Sequence, residues 1–526
     1  MKKTALVLGV ITFLSILSGA GAFSTERHNE IDQFKTIGVT GVHPIKIDMI
    51  CKPVEFKTMG EDTQITFTDA DEGHPSIDID YNGNPLLVYH GIGEESYNIF
   101  IQRSPDGGKT WPEDMVLAWQ SPDATYINPE VKFLEDGRHA YGTHETEEEM
   151  PFIYLHDYVD IDNPETWNMY YFDYSGVSTY VAETALCTNS TTTLAVGGIL
   201  DYHGQGYDLE DTLLILWNTE NGEGDWKGVF WINQDSEGNS YPYSHLSADA
   251  GVKMFFCYQQ ESTSGYSRIR VAYCKVNEST EYKDWRTSTV AAGSRYNCTY
   301  PDISVSGSKA YIVYMCDKNG NQDIYVAVST TGRIWRKYPV VESPEDDFYP
   351  VISANGDKAT CLFIRNGDLY KTTTEDGGVT WSTPELVNDV PGTAVEEYQY
   401  TDVKGVYGVW TDQRDGNDDI FFESVGLSPI LTIEEISGGF GSVKAKLSNV
   451  GNAVAENTRW SIDVEGLVLL GAHSEGTITL PPGSSRVVKS KFLLGLGGVT
   501  VTVTFGDAVR TTQGFLLGPL LLGIKS

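Results

Sequence analysis

Short runs of β-branched, aromatic and aliphatic residues recur along the chain, bounded by Gly, Asn, Asp or Pro. Examples run from Pro85 to Tyr89, Lys253 to Cys257, Ala310 to Tyr314 and Val406 to Trp410. Runs of this length and composition predict short antiparallel strands rather than helices. Each follows a polar or Pro-flanked start and then an apolar residue: His74-Pro75-Ser76-Ile77, Asn128-Pro129-Glu130-Val131, Tyr243-Ser244-His245-Leu246, Tyr300-Pro301-Asp302-Ile303 and Tyr349-Pro350-Val351-Ile352. Weaker copies stand at Tyr398 to Thr401 and Ala182 to Ala185. A third run follows a polar turn, as in Tyr97 to Ile101, Asp323 to Val328 and Asp419 to Phe422.

Six tryptophans close successive units, at 111, 167, 226, 285, 335 and 381. Their spacing of roughly 46 to 59 residues suits one four-stranded blade of a propeller. About seven starts against six closing tryptophans leave the last unit, which ends near Ser424, one strand short. A strand from the N-terminal side, Gln64 to Thr68, is expected to supply it. Seven blades are expected, with six and eight left open.

From about Ile430 aromatics thin out and Gly, Val, Leu, Ser and Thr dominate. Val443 to Leu447 and Trp460 to Val464 predict two strands around the turn Ser448-Asn449-Val450-Gly451-Asn452. With the runs 476–480 and 499–503, about seven short strands predict a β-sandwich. Phe515 to Ile524 is too short to cross a bilayer and is broken by Pro519, so it reads as a last strand plus turn. The chain thus divides into 1–22, an extension 23–59, a propeller 60–425 and a sandwich 430–526.

The first residues have another purpose. Lys2 and Lys3, an apolar run from Ala5 to Leu17 and small residues up to Ala22 describe a secretory signal peptide, with cleavage expected after Ala22. An uncleaved anchor is the alternative. The expected location is therefore extracellular or cell-surface. Of 526 residues, 73 are acidic and 37 basic, a formal charge of −36 that repels nucleic acid and anionic membrane surfaces. Membrane association is expected only through an uncleaved signal or the C-terminal domain. Seven cysteines, an odd count, leave at least one unpaired within the chain. Cys257 and Cys274 end two runs that could be neighbouring strands, so a bridge between them is one the sequence allows.

The turn Ser104-Pro105-Asp106-Gly107-Gly108-Lys109-Thr110-Trp111 resembles the Asp box of the sialidase and BNR-repeat propeller superfamily. Thr374-Glu375-Asp376-Gly377-Gly378-Val379-Thr380-Trp381 resembles it too, and decayed copies end at Trp335 and Trp226. The resemblance implies a sialidase-like all-β propeller with each box on the outer hairpin between a blade's third and fourth strands, away from any substrate. The pattern N-x-G-N-A-x-A-x-N from Asn449 to Asn457, preceded by Lys446, resembles immunoglobulin-like, CARDB-type modules of prokaryotic, especially archaeal, surface proteins. That implies spacing or envelope association.

Trp410 to Phe421 resembles the W-x-D-x-R-x-G-N-x-D-I-Y segment of extracellular propeller repeats. Within it Asp415, Asn417 and Asp419 have D-x-N-x-D spacing suited to Ca²⁺, although turn stabilisation explains them equally well. Ca²⁺ is the only cofactor expected, if any. Sialidases hold a substrate carboxylate with three arginines, since the planar guanidinium binds it bidentately. No Arg lies between Arg27 and Arg103, where that resemblance wants the first. Arg365 and Arg414 are left as later members. Blade starts can line a central channel, which makes His74, Glu130, His245 and Asp302 candidate ligand-binding residues beside the two arginines. The expected function is recognition of a glycan or a surface protein on the propeller face. A sialidase-like glycoside hydrolase and a structural envelope component are the alternatives.

Overall fold

A computed structural model describes residues 25–30, 35–40 and 45–47 and the chain from 62 to 524. Outside the description are 81–82, 93–96, 113–114, 122–127, 135–138, 146–151, 159–166, 174–177, 179, 190–192, 204–208, 220–225, 235–240, 277–280, 427–428, 430, 450, 452–453, 482 and 507. The expected signal peptide and Cys51 also fall outside it.

The described residues before Gly426 form seven antiparallel sheets of four or five strands. Their innermost strands are Asp71–Ile79, Glu130–Phe133, Val181–Thr188, Tyr243–Ala250, Cys298–Ser306, Phe348–Asn355 and Thr401–Lys404. Each inner strand touches the next, and the last touches the first, so the sheets close around one axis as a β-propeller. Three N-terminal strands, Thr25–Glu30, Lys35–Thr40 and Ile45–Ile47, lie on the outer edges of the third, second and first sheets.

The ring is latched between its two chain ends. Gln64 pairs with Phe421 and Thr63 with Phe422, giving the last sheet its fourth strand. The strand is Thr63–Gln64, shorter than the Gln64 to Thr68 expected, and Ile65 extends it by one bond from its N–H to Ile420 O at 2.7 Å. Asp419 accepts from Gln64 Nε2 and Thr66 Oγ1, both at 3.1 Å. Asn417 Nδ2 donates to Thr68 O and Ala70 O, both at 3.2 Å.

Each Asp box follows a third strand and precedes a fourth. Asp106 accepts the Thr110 N–H and hydroxyl at 2.8 Å each, and Ser104 Oγ accepts the Gly108 N–H at 2.8 Å. Asp376 accepts the Thr380 N–H at 2.9 Å and its hydroxyl at 2.7 Å. Gly108 has φ +84°, and a Cβ there would lie 2.6 Å from Phe422 Cζ, so glycine answers both demands. The indoles plug the gaps to the preceding sheet. Trp111 meets Phe422 edge-on at 5.0 Å, Trp226 meets Phe172 at 5.0 Å, Trp285 meets Trp217 at 5.5 Å and Trp335 meets Phe255 at 6.4 Å. Such aromatic pairs each add about 0.5–1.5 kcal/mol beyond area burial.

An inner strand is also an edge strand, and its outward N–H groups need partners. Here the preceding sheet supplies them. Ser76 Oγ accepts Val131 N–H at 3.3 Å, Glu130 accepts Leu186 N–H at 2.6 Å, and Glu183 accepts the N–H groups of His245 and Leu246 at 2.9 and 2.7 Å. Ser247 Oγ accepts Ile303 N–H at 3.3 Å, Asp302 accepts Ile352 N–H at 2.7 Å, Ser353 Oγ accepts Gly405 N–H at 2.8 Å, and Asp402 accepts Ile77 N–H at 2.9 Å. A short polar side chain therefore sews every junction of the ring.

Cys257 and Cys274 form no disulfide with each other, which corrects the bridge considered from the sequence. Cys257 faces Val271 and Cys274 faces Met254 across the two strands, and the thiols are buried in different core clusters on opposite faces. The cysteines that do meet are Cys298 and Cys316, directly opposed in register with sulfurs 3.8 Å apart.

After Pro429 a three-stranded sheet (Leu431–Gly438, Val443–Asn449, Ser484–Lys489) packs on a five-stranded one (His473–Leu480, Ala455–Leu470, Leu494–Phe505, Ala508–Gly518, Leu520–Leu522). Ile433, Leu447, Ile462, Val501 and Phe505 share its core. The segment 448–452 joins strands of different sheets rather than a hairpin, because the Asn449 side chain ties it across to Leu480 O at 2.9 Å. Phe515 to Ile524 forms a strand end, a turn at Pro519 and a short final strand.

Candidate functional site at the channel mouth

Inner strands all begin at one end of the propeller, and there five non-glycine residues adopt left-handed backbone: His74, His245, Tyr300, Tyr349 and Gln399, with φ between +49° and +66°. The sheet register shifts at the first four, between Gly73 and Ser76, Ser244 and Ser247, Thr299 and Asp302, and Phe348 and Val351. Each such residue costs on the order of 1–3 kcal/mol and persists only where its surroundings hold it. The bulges gather their side chains at the mouth. His245 stacks on Tyr300 at 4.0 Å, Tyr398 meets His245 edge-on at 4.7 Å, and Tyr349 meets Tyr300 at 5.0 Å. On the other side His74 lies 4.7 Å from both His90 and Tyr400. His74 Nδ1 bonds Asn128 Oδ1 at 2.9 Å, and the Asn128 amide donates to Gln399 Oε1.

Electrostatically this rosette is neutral at its centre. Burial lowers the His245 imidazole to about 4, so it is uncharged at neutral pH. Burial likewise pushes the Tyr400 hydroxyl up to about 12. Tyr300, Tyr349, Tyr398 and Gln399 are half-exposed.

The mouth residues His74, Asn128, Tyr349, Tyr398 and Gln399, together with the inner strands, line a cavity of about 110 Å³, room for a few waters rather than a whole sugar ring. Its lining carries Glu130, Asp249, Asp302 and Asp402 against Lys132 and Lys404. Lys132 lies 2.7 Å from Glu130 and Lys404 3.2 Å from Asp78. Burial raises Glu130, against the pull of Lys132. Burial also raises Asp302 to about 7, while its two oxygens accept from Ser247 Oγ and Ile352 N–H at 2.7 Å each. Glu130 and Asp302 thus lie in the channel wall as junction residues, while His74 and His245 reach the mouth. A larger cavity of about 760 Å³ opens at the opposite end, lined by strand-end turns and sandwich residues such as Leu431 and Arg510. Among its lysines, Lys132 and Lys404 are the pair already matched to Glu130 and Asp78.

The two arginines stand in separate sheets and are already held. Arg365 Nε donates to buried Asp347 at 2.7 Å, with the guanidinium over Tyr370 at 5.1 Å. Arg414 grips Asp412 through Nε at 2.8 Å and Nη2 at 2.7 Å, reaches Asp62 at 2.5 Å, and lies over Phe421 at 4.0 Å. Arg414 thus has its fork occupied, whereas Arg365 is held through Nε alone and its buried Nη2 has no hydrogen-bond partner. Asn417 and Asp419, from the D-x-N-x-D segment, bond the N-terminal latch as given above. Among the described residues no group of three or more His, Cys, Asp or Glu is arranged to hold a metal ion.

Tyr300, Tyr349, Tyr398, Tyr400, Gln399 and Asn128 were not singled out as site residues from the sequence. For Asn128, Tyr300, Tyr349 and Gln399 the signal was the position itself, the residue just before Pro or its equivalent in a repeated start, and Tyr398 and Tyr400 flank the last of these.

No family model matches the chain, and no curated protein matches it. Among solved structures, polysaccharide lyase Uly1 gives a TM-score of 0.46 at 10% identity, over 74% of this chain and 99% of the lyase. A protein of unknown function from Dyadobacter fermentans DSM 18053 gives 0.43 at 11%, over 70% and 99%. Trypanosoma rangeli sialidase in complex with the inhibitor DANA gives 0.36 at 11%, over 94% and 95%. At these scores the sialidase-like propeller fold rests on the chain's own sheet order and box turns.

Proposed function

We propose that this protein recognises a glycan at the channel mouth, outside the cell or at its surface, and that the glycan is uncharged where it meets the rosette. One observation carries the reading: the converging face of His245, Tyr300, Tyr349 and Tyr398, flanked by the Gln399 and Asn128 amides. Aromatic faces offer rigid apolar area to the C–H face of a sugar, and side-chain amides orient its hydroxyls. An anionic sugar finds little there. The net charge is −36, Arg365 and Arg414 are paired with aspartates, and the nearest imidazole is neutral. The export reading of Met1 to Ala22 supports the location, and the sandwich would join the propeller to the envelope.

A glycan-binding screen followed by calorimetry tests this. Tyr300→Ala and Tyr349→Ala should each weaken the best neutral ligand by about tenfold or more, on the order of the 1–3 kcal/mol that such stacking contributes. Turnover of a sialoside that disappears in Arg365→Ala or Arg414→Ala would overturn the proposal in favour of a hydrolase. Equal affinity in both tyrosine variants would also end it.

A further inference from the structure

Exposed Val252, Ile334, Val379 and Val390 stand apart on the propeller, but the exposed Leu and Phe side chains of the described chain cluster. Apart from Leu386, every exposed Leu or Phe among them belongs to the sandwich, and all of these lie at one of its ends. Four turns meet there: 439–442, 471–472, 490–493 and the turn at Pro519. They and the adjoining strand ends expose Phe440 (75%), Leu469 (68%), Leu467 (63%), Leu496 (54%), Leu517 (54%) and Phe515 (50%). Leu496 and Leu517 are directly opposed across two strands, so the face is continuous. Leu431, where the sandwich begins, pairs with Asn449 at the other end. The apolar end is therefore distal to the connection with the propeller.

Three further features say what covers it. First, the turns satisfy one another's backbone: Gly441 N–H donates to Pro519 O at 2.6 Å, Leu493 N–H to Gly441 O at 3.0 Å and Leu521 N–H to Gly439 O at 3.1 Å. Turns that carry their own hydrogen bonds can leave water without stranding polar groups. Second, within 438–443, 466–472, 490–498 and 514–524 the only charged side chain is Lys491. Third, exposed Lys444 and Lys489 stand behind the tip on the three-stranded side, with exposed Lys491 in the turn 490–493 itself. Asp463, Glu465 and Glu475 stand behind it on the other sheet, with His473 bonded to Asp463 at 2.5 Å.

We propose that this end of the sandwich inserts shallowly into the interface of a zwitterionic phospholipid bilayer, with the lysines at the depth of the phosphates. Exposed Leu and Phe on turns, backed by Lys, suit that interface. A strongly anionic surface would be opposed by the −36 charge of the whole chain. A second copy docked tip to tip would set one lysine group against another. Among the described residues no helix is long and apolar enough to cross a membrane, so the association is peripheral on this account.

Flotation of the full chain with phosphatidylcholine vesicles reads the proposal. The protein should float, and Leu469→Ser/Leu496→Ser/Leu517→Ser should lower the vesicle-bound fraction about tenfold or more, since three large apolar side chains are lost. The Tm should hold, because those side chains are exposed. The apolar run Ala5 to Leu17 is the same in both proteins and cannot produce a difference between them. Absence of flotation, or equal flotation of the two proteins, would overturn the proposal. So would a concentration-dependent dimer that the triple variant abolishes without any vesicle binding, which would assign the end to a second copy.

Discussion

Glu72 offers a quantitative test of the seam where the ring closes beside the mouth. It is 1% exposed, its Oε1 accepts from the Thr68 hydroxyl, its backbone N–H donates to Asp418 O at 2.8 Å, and its Oε2 has no partner. Burial, with Asp419 and Asp71 nearby, pushes its carboxyl up to about 8 from 4.5, against the Thr68 and Thr66 hydroxyls. A carboxyl raised in the folded state adds stability in full below pH 4.5 and loses it as pH rises through 8. At about 1.36 kcal/mol per pH unit, the loss by pH 7 is about 2.5 × 1.36, or about 3 kcal/mol, and by pH 9 about 5 kcal/mol. Glu72→Gln keeps the shape and the Thr68 contact but cannot ionise. Its amide leaves one buried polar group unpartnered, as the protonated acid does, so at pH 4.5 the two proteins should differ by less than about 1 kcal/mol. Urea unfolding of the propeller at pH 4.5, 7 and 8.5 measures the gap. The variant should gain about 3 kcal/mol on wild type between pH 4.5 and 7. A gap that stays constant across that range would mean that Glu72 ionises normally in the folded protein, and the burial argument would fall.

Other consequences follow from the same geometry. Arg414→Ala leaves Asp62 and Asp412 buried without their cation and should cost about 3–5 kcal/mol. Because Asp62 lies on the N-terminal side of the seam, limited proteolysis should show that side cut first, whereas a loss shared evenly by all sheets would refute the latch. Oxidised glutathione should convert the Cys298 and Cys316 thiols to a disulfide, releasing two equivalents of reduced glutathione. Peptide mass mapping should find that pair linked and Cys257 and Cys274 still free; any bridge between the last two would contradict the register.

Repetition made the architecture legible, because a blade is a local unit whose strands, turn and closing indole lie within about fifty residues. The missing strand near Ser424 was legible by counting, and its supplier, Thr63–Gln64, falls at the start of the expected run. What escaped the sequence was non-local. Cys257 and Cys274 end adjacent runs, yet the pleat sends their side chains to opposite faces, while Cys298 and Cys316 face each other across a hairpin. Strand alternation decides this, and it depends on a register that composition does not show.

The surroundings of the carboxylates at the repeated starts were hidden for a related reason. Glu130 and Asp302 attract notice as carboxylates at repeated starts, and acids there could serve catalysis or binding. The same position in other sheets holds Ser76 and Ser247, which accept the same kind of N–H bond. In four of the sheets this position holds Ser, Glu or Asp and accepts one backbone N–H of the next sheet, which needs an acceptor and not a titrating group. That explains why Asp302, though raised to about 7 by burial, is turned toward Ser247 and Ile352 instead of the mouth. With these carboxylates facing sideways and both arginines paired, the side chains left pointing along the axis are those on the left-handed bulges. Those bulges carry His74, His245, Tyr300, Tyr349 and Gln399, and His74 is bonded in turn to Asn128.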